Sequence, residues 1–293
     1  MKKINVLVLS LILLMGCFCS CSQLEAKKVP VATENATKLT VATFNLRMDT
    51  PNDGLDAWPN RKEMAKNLIA YHDFDIFGVQ EAFLHMIKGI TELPNYDYLG
   101  VGREDGKEKG EYAAIIYRKD KFKVLNHGNF WLSKTPEKVS FGWDAVCIRI
   151  CTWGEFEDLA SGDTFYFFNV HFDHKGVVAR RESAKLMVSK IKEIAGDQKV
   201  ICTGDFNGVP TCEPIQIMLN SKFLQDSKAV SEKTPYGTEG TFTSFDVKSE
   251  AKDRIDFLFV TKDIKVKSYA TLNEVIAGHF PSDHFPVMIK VEF

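Results

Sequence analysis

From Leu39 to the C-terminus the chain alternates two rhythms of apolar positions. Short runs rich in β-branched and aromatic residues predict strands: TVATFNLR (40–47), DIFGVQE (75–81), YAAIIYR (112–118), FKVLNHGNFWLS (122–133), AVCIRICTW (145–153), TFYFFNVHF (164–172), KVICTGDFN (199–207), RIDFLFVT (254–261) and FPVMIKVEF (285–293). Two longer stretches repeat at helical spacing. WPNRKEMAKNLIAYHDF (58–74), opened near Pro59, sets Met64, Leu68, Ile69 and Tyr71 in step; VVARRESAKLMVSKIKEIAG (177–196) does the same with Met187, Ile191, Ile194 and Ala195. No internal repeat is visible by inspection. Many strands, few interposed helices and no break in composition predict one α/β (α+β) domain with two packed sheets flanked by helices.

The strands end in groups that an apolar run does not need. Asn45 interrupts the first, Glu81 closes the second, Asn169 and His171 end TFYFFNVHF, and Asp205 and Asn207 follow directly on VICTG. Asp256 sits inside RIDFLFV, and Asp283 with His284 introduces the last strand. A buried carboxylate is costly unless it is paired or bound to a metal. Any one of these groups taken alone fits a satisfied structural hydrogen bond, but their recurrence at strand ends needs a shared explanation. If the ends converge, one pocket gathers carboxylates, histidines and amides, and such a pocket requires a cation.

Oxygen ligands without a cysteine or histidine pair at zinc spacing point to a hard ion, Mg²⁺ or Mn²⁺. A metal Lewis acid, a histidine base held by an aspartate, and amide donors for non-bridging oxygens suit attack of water on a phosphate ester. The chain has no G-x-S-x-G elbow, no G-x-G-x-x-G and no G-K-[ST], which excludes the common serine-hydrolase, dinucleotide and P-loop signatures.

Charge narrows the substrate. The 293 residues carry 37 basic and 39 acidic side chains. Without residues 1–21, which hold two lysines and no acid, 35 basic stand against 39 acidic, a net charge of −4. That balance argues against a grip on long duplex DNA, which calls for a basic stripe.

The ordered set TFNLR, VQE, NVHFDH, TGDFN, RIDFLFV and SDHFPV resembles the endonuclease/exonuclease/phosphatase superfamily over about Leu39 to Phe293, and WPNRK and FWLSKTPEKVSFGWDAVCIRICTW are similar to a secreted bacterial branch of it. The resemblance implies a four-layer αββα sandwich of the DNase I type, its sheets mostly antiparallel, with the site at one edge of both. It also implies roles. Glu81 matches the principal metal ligand, with Asn45 and Asp283 beside it; His284 matches the base, oriented by Asp256; His171 matches the histidine near the scissile phosphate; Asp205 and Asn207 match the phosphate-proximal pair. Arg47 stands where abasic-site endonucleases have an aspartate, which removes a possible ligand and offers a phosphate clamp.

Weaker expectations surround these. Trp58 and Arg61 are candidates to floor the pocket, against the alternative of packing and a helix-start ion pair. Asp173, His174 and Arg180 are candidates to line its mouth. The run GREDGKEKGEY reads as a solvated loop that borders the site. Trp131, Trp143 and Trp153 read as packing. Cys147 and Cys151, read as sharing one strand, would stand roughly 13 Å apart, too far for a disulfide; with Cys202 and Cys212 they are expected as free thiols.

The N-terminus, MKKINVLVLSLILLMGCFCSC, has two lysines and an apolar stretch too short to span a membrane. Leu14-Met15-Gly16-Cys17 resembles a lipobox, so Cys17 is the expected lipid anchor; an ordinary cleaved signal is the alternative. Residues 22–38 read as a flexible tether and 39–293 as the catalytic domain. The expected protein is therefore an exported lipoprotein of the periplasm or cell envelope, attached to the membrane through its N-terminus, with no obligate protein partner evident. Its expected activity is metal-dependent hydrolysis of phosphodiesters or phosphomonoesters. Within that chemistry the substrate stays open between RNA or single-stranded nucleic acid, sugar or inositol phosphates, and sphingomyelin-like lipids; a non-catalytic binding module on the same fold is the alternative of a different class.

Overall fold

Strand after strand is buried along its whole length rather than on alternate residues, because the sheets are covered on both faces. The computed structural model describes residues 36–293; the signal segment, Cys17 and most of the tether lie outside the described residues. In chain order the elements are β1 (Lys38–Asn45), α1 (Trp58–Tyr71), β2 (Ile76–Ala82), α2 (Leu84–Ile90), β3 (Tyr96–Leu99), β4 (Tyr112–Arg118), β5 (Phe122–Trp131) and β6 (Ile150–Asp158). They continue with β7 (Thr164–His171), α3 (Val177–Ala195), β8 (Val200–Asp205), α4 (Glu213–Asn220), β9 (Leu224–Asp226), β10 (Asp256–Thr261), β11 (Lys265–Thr271) and β12 (Val287–Glu292).

Two six-stranded sheets result, ordered β11-β12-β1-β2-β4-β3 and β5-β6-β7-β8-β10-β9. Each has one parallel pair at its centre, β1 with β2 and β7 with β8, and antiparallel pairs everywhere else. Each parallel pair is joined through a helix, α1 or α3. The two sheets are therefore the same arrangement built twice, a duplication that the sequence does not display. Helix α1 covers the first sheet with Ala65, Leu68 and Ile69 against Phe44 and Phe77. Helix α3 covers the second with Ala184, Met187 and Ile191 against Phe168, Cys202 and Phe259. Between the sheets Val41, Ile76, Ile115, Phe165, Phe167, Ile201, Leu258 and Ile289 form the apolar middle layer. Each large side chain buried there is worth roughly 1.5–3 kcal/mol.

Toward one end the middle layer turns polar. Gln80 donates to Oδ1 of Asn169 across the sheets at 2.7 Å and to Thr43 at 3.0 Å, while the Asn169 amide donates to the carbonyls of Val79 and Ala114. A Cβ on Gly78 would lie 2.3 Å from Asn169 Oδ1 and 2.4 Å from Thr203 Oγ1, so only glycine lets this clasp close. Asn169, expected in the pocket from its place at a strand end, is instead spent on holding the sheets together.

Several boundaries differ from the sequence reading. Residues 145–149 of AVCIRICTW are not strand, so Cys147 precedes β6 rather than sharing it with Cys151. Pro286 cannot donate to a ladder, and β12 accordingly starts at Val287, which leaves Asp283 and His284 in the preceding loop. Helices α2 and α4 are too short for their period to stand out. All four described cysteines are free thiols.

Candidate active site

The polar end of the sandwich is where both parallel pairs finish. Strands β1, β2, β7 and β8 run the same way into one edge and deliver Asn45, Glu81, His171 and Asp205 there; His171 is directly in register with Asp205. Glu81 is aimed by an irregularity in the β2–β4 ladder between Val79 and Ala82, and its φ is +61°. Arg47 (φ +53°) and Asn207 (φ +46°) share this left-handed conformation. With Ser244 (φ +55°) and Phe245 (φ +63°), five non-glycine residues are held so around one cavity, strain of the kind that sites retain.

The side chains interlock. The Asn45 amide donates to Glu81 Oε1 and to Asp205 Oδ2, both at 3.0 Å, and Asn45 Oδ1 accepts from the backbone N–H of Arg47. Glu81 Oε2 accepts from the Met48 N–H at 3.2 Å. Asp205 Oδ1 accepts from the Asn207 N–H at 2.9 Å. Its Oδ2 lies 3.4 Å from Nε2 of His171 and 3.9 Å from Nε2 of His284, so one aspartate touches both imidazoles.

Those imidazoles are in opposite states. Nδ1 of His284 is 2.8 Å from Asp256 Oδ2. It donates to that carboxylate, and Nε2 faces the cavity. Burial works to lower the His284 pKa, yet Asp256, Asp205 and Asp283 carry it well above the usual histidine value. His171 faces the other way. Its Nδ1 lies 2.9 Å from Nη1 of Arg149, which can only donate, so Nδ1 is an acceptor and Nε2 holds the proton. Burial first, and the Arg149 charge second, push the His171 pKa far below normal. His171 is thus a neutral donor aimed at Asp205 and the cavity.

The carboxylates crowd one another. Burial raises Asp205 to about 7, with Asp256 and Glu81 adding to it. Asp283 is raised by burial and by Glu81. Glu81 itself is lowered: burial opposes ionisation, but His284, Asn45, the Met48 N–H and Arg47 outweigh it. Oxygens of Glu81 and Asp205 lie within 4.8 Å of each other and of His171. A hard divalent ion fits this donor set, since the carboxylate oxygens are close together and mutually repelling. Glu81 and Asp283 are the residues placed to hold it, with Arg47 the charge it would displace, 3.9 Å from Glu81 and 4.0 Å from Asp283.

A cavity of about 740 Å³ opens over these groups. Arg47, Glu81, His171, Asp205, Asn207, Asp283 and His284 line it, while Asn45 and Asp256 support them from beneath. Arg47 is also tied to Asp53 by two 2.9 Å bonds. Other expected residues stand elsewhere. Trp58 and Arg61 do not floor the cavity. Arg61 is 1% exposed, lies over the Trp58 ring, and donates to the carbonyls of Leu46, Arg47, Asp56 and Pro281, which ties together the loops on either side of the site. Burial lowers its pKa to about 10, which keeps it charged. Asp173 is also withdrawn: its carboxylate accepts from the backbone N–H groups of Val146, Cys147, Lys175 and Gly176. His174 does line the mouth, and Arg180 lines an adjoining cavity.

Sequence reasoning missed the basic end of the pocket. Arg149 is 5% exposed, bonds His171 and His174, and its Nε has no hydrogen-bond partner. Beside it Arg103 pairs with Glu111 at 2.6 Å, both from the loop expected to be solvated and to border the site. The available signal is Arg149 itself, a cation within the apolar run AVCIRICTW.

Two mixed sheets between helices, with acids and imidazoles gathered where both parallel pairs end, define a phosphoesterase-type αββα domain. The profile of the Endonuclease/Exonuclease/phosphatase family matches residues 42–284, and the chain belongs to that family. A crystal structure of a family protein from Bacteroides thetaiotaomicron is similar with a TM-score of 0.85 and 45% identity, covering 88% of this chain and 99% of the other. A mannosyl-6-phosphatase of the same organism is similar with a TM-score of 0.84 and 44% identity over 87% of this chain and 100% of that one. An uncharacterized protein of Acanthamoeba polyphaga mimivirus is 35% identical over 159 residues; the match spans 51% of this chain and 59% of that relative.

Proposed function

We propose that the protein is a divalent-metal-dependent phosphatase that hydrolyses monoesters of sugar phosphates outside the cytoplasm. The observation that carries this reading is the polarity of the cavity: Glu81, Asp205 and Asp283 at one end, the buried Arg149 with the neutral donor His171 at the other. A monoester dianion needs cationic and hydrogen-bonding partners on several oxygens at once, and this chain offers Arg149, His171, Asn207 and Arg47 around one space. The mannosyl-6-phosphatase at 44% identity supports the choice of a sugar ester over a nucleic acid, as does the absence of a net positive charge.

In this mechanism His171 and Asn207 hold the phosphoryl oxygens, and Arg149 fixes His171 with its proton on Nε2. His284 takes the proton of the attacking water on Nε2, and Asp256 stabilises the imidazolium that forms. As the phosphorus–oxygen bond to the sugar breaks, Asp205, whose carboxyl keeps its proton up to about pH 7, is the nearest group to supply the departing oxygen. The metal, when bound, neutralises charge on the phosphoryl oxygens. The test is hydrolysis of hexose 6-phosphates, inositol phosphates, bis-nitrophenyl phosphate, RNA and sphingomyelin with Mg²⁺, Mn²⁺ or EDTA. Turnover of the hexose esters alone, lost in EDTA and in His284→Gln, is the expected result; preference for a diester or turnover in EDTA would refute it.

A further inference from the structure

Beyond Asn207 the protein has a second cavity, of about 330 Å³, that shares this one residue with the catalytic pocket. Val177, Arg180, Gly208, Val209, Cys212 and Glu213 line it. Its size is at the small end of ligand sites, which run from roughly 300 Å³ upward. Its walls are built rather than incidental. A Cβ on Gly208 would lie 2.5 Å from the Cys212 Sγ, so glycine leaves that thiol its place in the wall. Val177 stands 64% exposed at the rim. Arg180 spends one nitrogen on the Asp173 carbonyl at 3.0 Å, and neither Arg180 nor Glu213 has an ion-pair partner among the described residues. Among the described residues no aromatic ring lines the cavity, so they offer no platform on which a base would stack.

The order of groups gives this cavity a direction. Asp205 Oδ2 lies 3.9 Å from Nε2 of His284 and 3.4 Å from Nε2 of His171, and the Asn207 amide lies 3.2 Å from His171, so His284 and Asn207 are the two ends of one chain of contacts. Displacement at phosphorus places the attacking and departing oxygens in line on opposite sides. With the proton acceptor His284 at one end of this row, the departing oxygen leaves at the other, toward Asn207 and the second cavity.

We propose that this second cavity is the subsite for the alcohol half of the ester, and that it selects a polyhydroxylated ring by hydrogen bonds from Arg180 and to Glu213, with Val177 and Val209 against the ring's carbon face. The assignment rests on the phosphatase reading and adds to it which side of the site reads the sugar.

Two thiols make the test possible, because Cys147 lines the catalytic cavity and Cys212 the second one. In His284→Gln with Mg²⁺, alkylation by iodoacetamide is followed at each cysteine by peptide mass spectrometry. Inorganic phosphate should slow Cys147 and leave Cys212 unchanged; a hexose 6-phosphate should slow both, about tenfold at ten times its half-saturating concentration. Protection of Cys147 alone by both ligands overturns the subsite and leaves the phosphatase reading standing. Protection of neither thiol overturns the phosphatase reading itself. If Cys212 is inert to the reagent, Arg180→Met and Glu213→Gln decide: each should lower kcat/KM for hexose 6-phosphate relative to nitrophenyl phosphate, through KM, and an equal fall for both substrates refutes the subsite.

Discussion

Arg149 holds Nδ1 of His171 at 2.9 Å while its own guanidinium is sealed from solvent, and this contact decides which imidazole nitrogen carries the proton. A lysine there would keep the charge but not the planar fork that also reaches His174 at 3.1 Å. Arg149→Met should therefore lower kcat/KM by about 10²–10³, the cost of losing one preorganised donor. It should also raise the His171 pKa, since a repelling charge is gone. Imidazole titration by NMR, read beside the kinetics, checks both; an unmoved His171 pKa would count against the assigned tautomer.

Asp256 acts in the opposite sense on His284. Burial alone would lower that imidazole, and Asp256 heads the charges that raise it. Asp256→Asn removes the stabiliser of the protonated form, so the pKa falls and the acidic limb of the kcat/KM profile moves to lower pH. The maximal rate should fall by about 10²–10⁴, as expected when a general base loses its orienting partner. A limb displaced to higher pH would show that another group is the base.

Cation binding should depend on Glu81, whose side chain is the carboxylate held ionised in the cavity. In Glu81→Gln, calorimetric titration with Mg²⁺ should give no saturable heat where the wild type does, and activity should drop to background without unfolding. Retained Mg²⁺ binding would move the ion to other ligands.

Arg61 yields a prediction about stability rather than chemistry. Arg61→Met leaves several buried carbonyls, Leu46, Arg47 and Pro281 among them, without a donor. The expected loss is roughly 3 kcal/mol, or a fall in Tm of roughly 6–10 °C for a domain of this size. Differential scanning calorimetry measures it; a Tm within a degree of wild type would mean that water replaces the guanidinium.

What the sequence made legible was the chemistry carried by chain order. Asn45, Glu81, His171, Asp205 and Asn207 close or directly follow an apolar strand, Asp283 and His284 precede one, and parallel strands entering one edge bring the first five together. Asn169 lies on the same face of β7 as His171 but two residues, roughly 7 Å, deeper, where it meets the opposing sheet instead of the cavity. The positive φ of Glu81 and the bulge behind it leave no trace in residue type. Arg149 and Arg103 were hidden for another reason: long side chains reach the cavity from loops whose course no local pattern dictates. The duplicated sheet plan was equally invisible, since matching strand order does not require matching residues.

Thr37 and Phe293 exchange a pair of backbone hydrogen bonds, 2.9 and 3.1 Å, beside the start of β1. Strand β1 then runs eight residues to Asn45, roughly 25 Å away. The domain is thus entered and left at the back, and its mouth opens at the front. A bead or carrier coupled through Phe293 would hold the enzyme like a cup by its base, with soluble esters free to reach the rim; linking the two ends and reopening the chain at a distant loop should leave the cup intact.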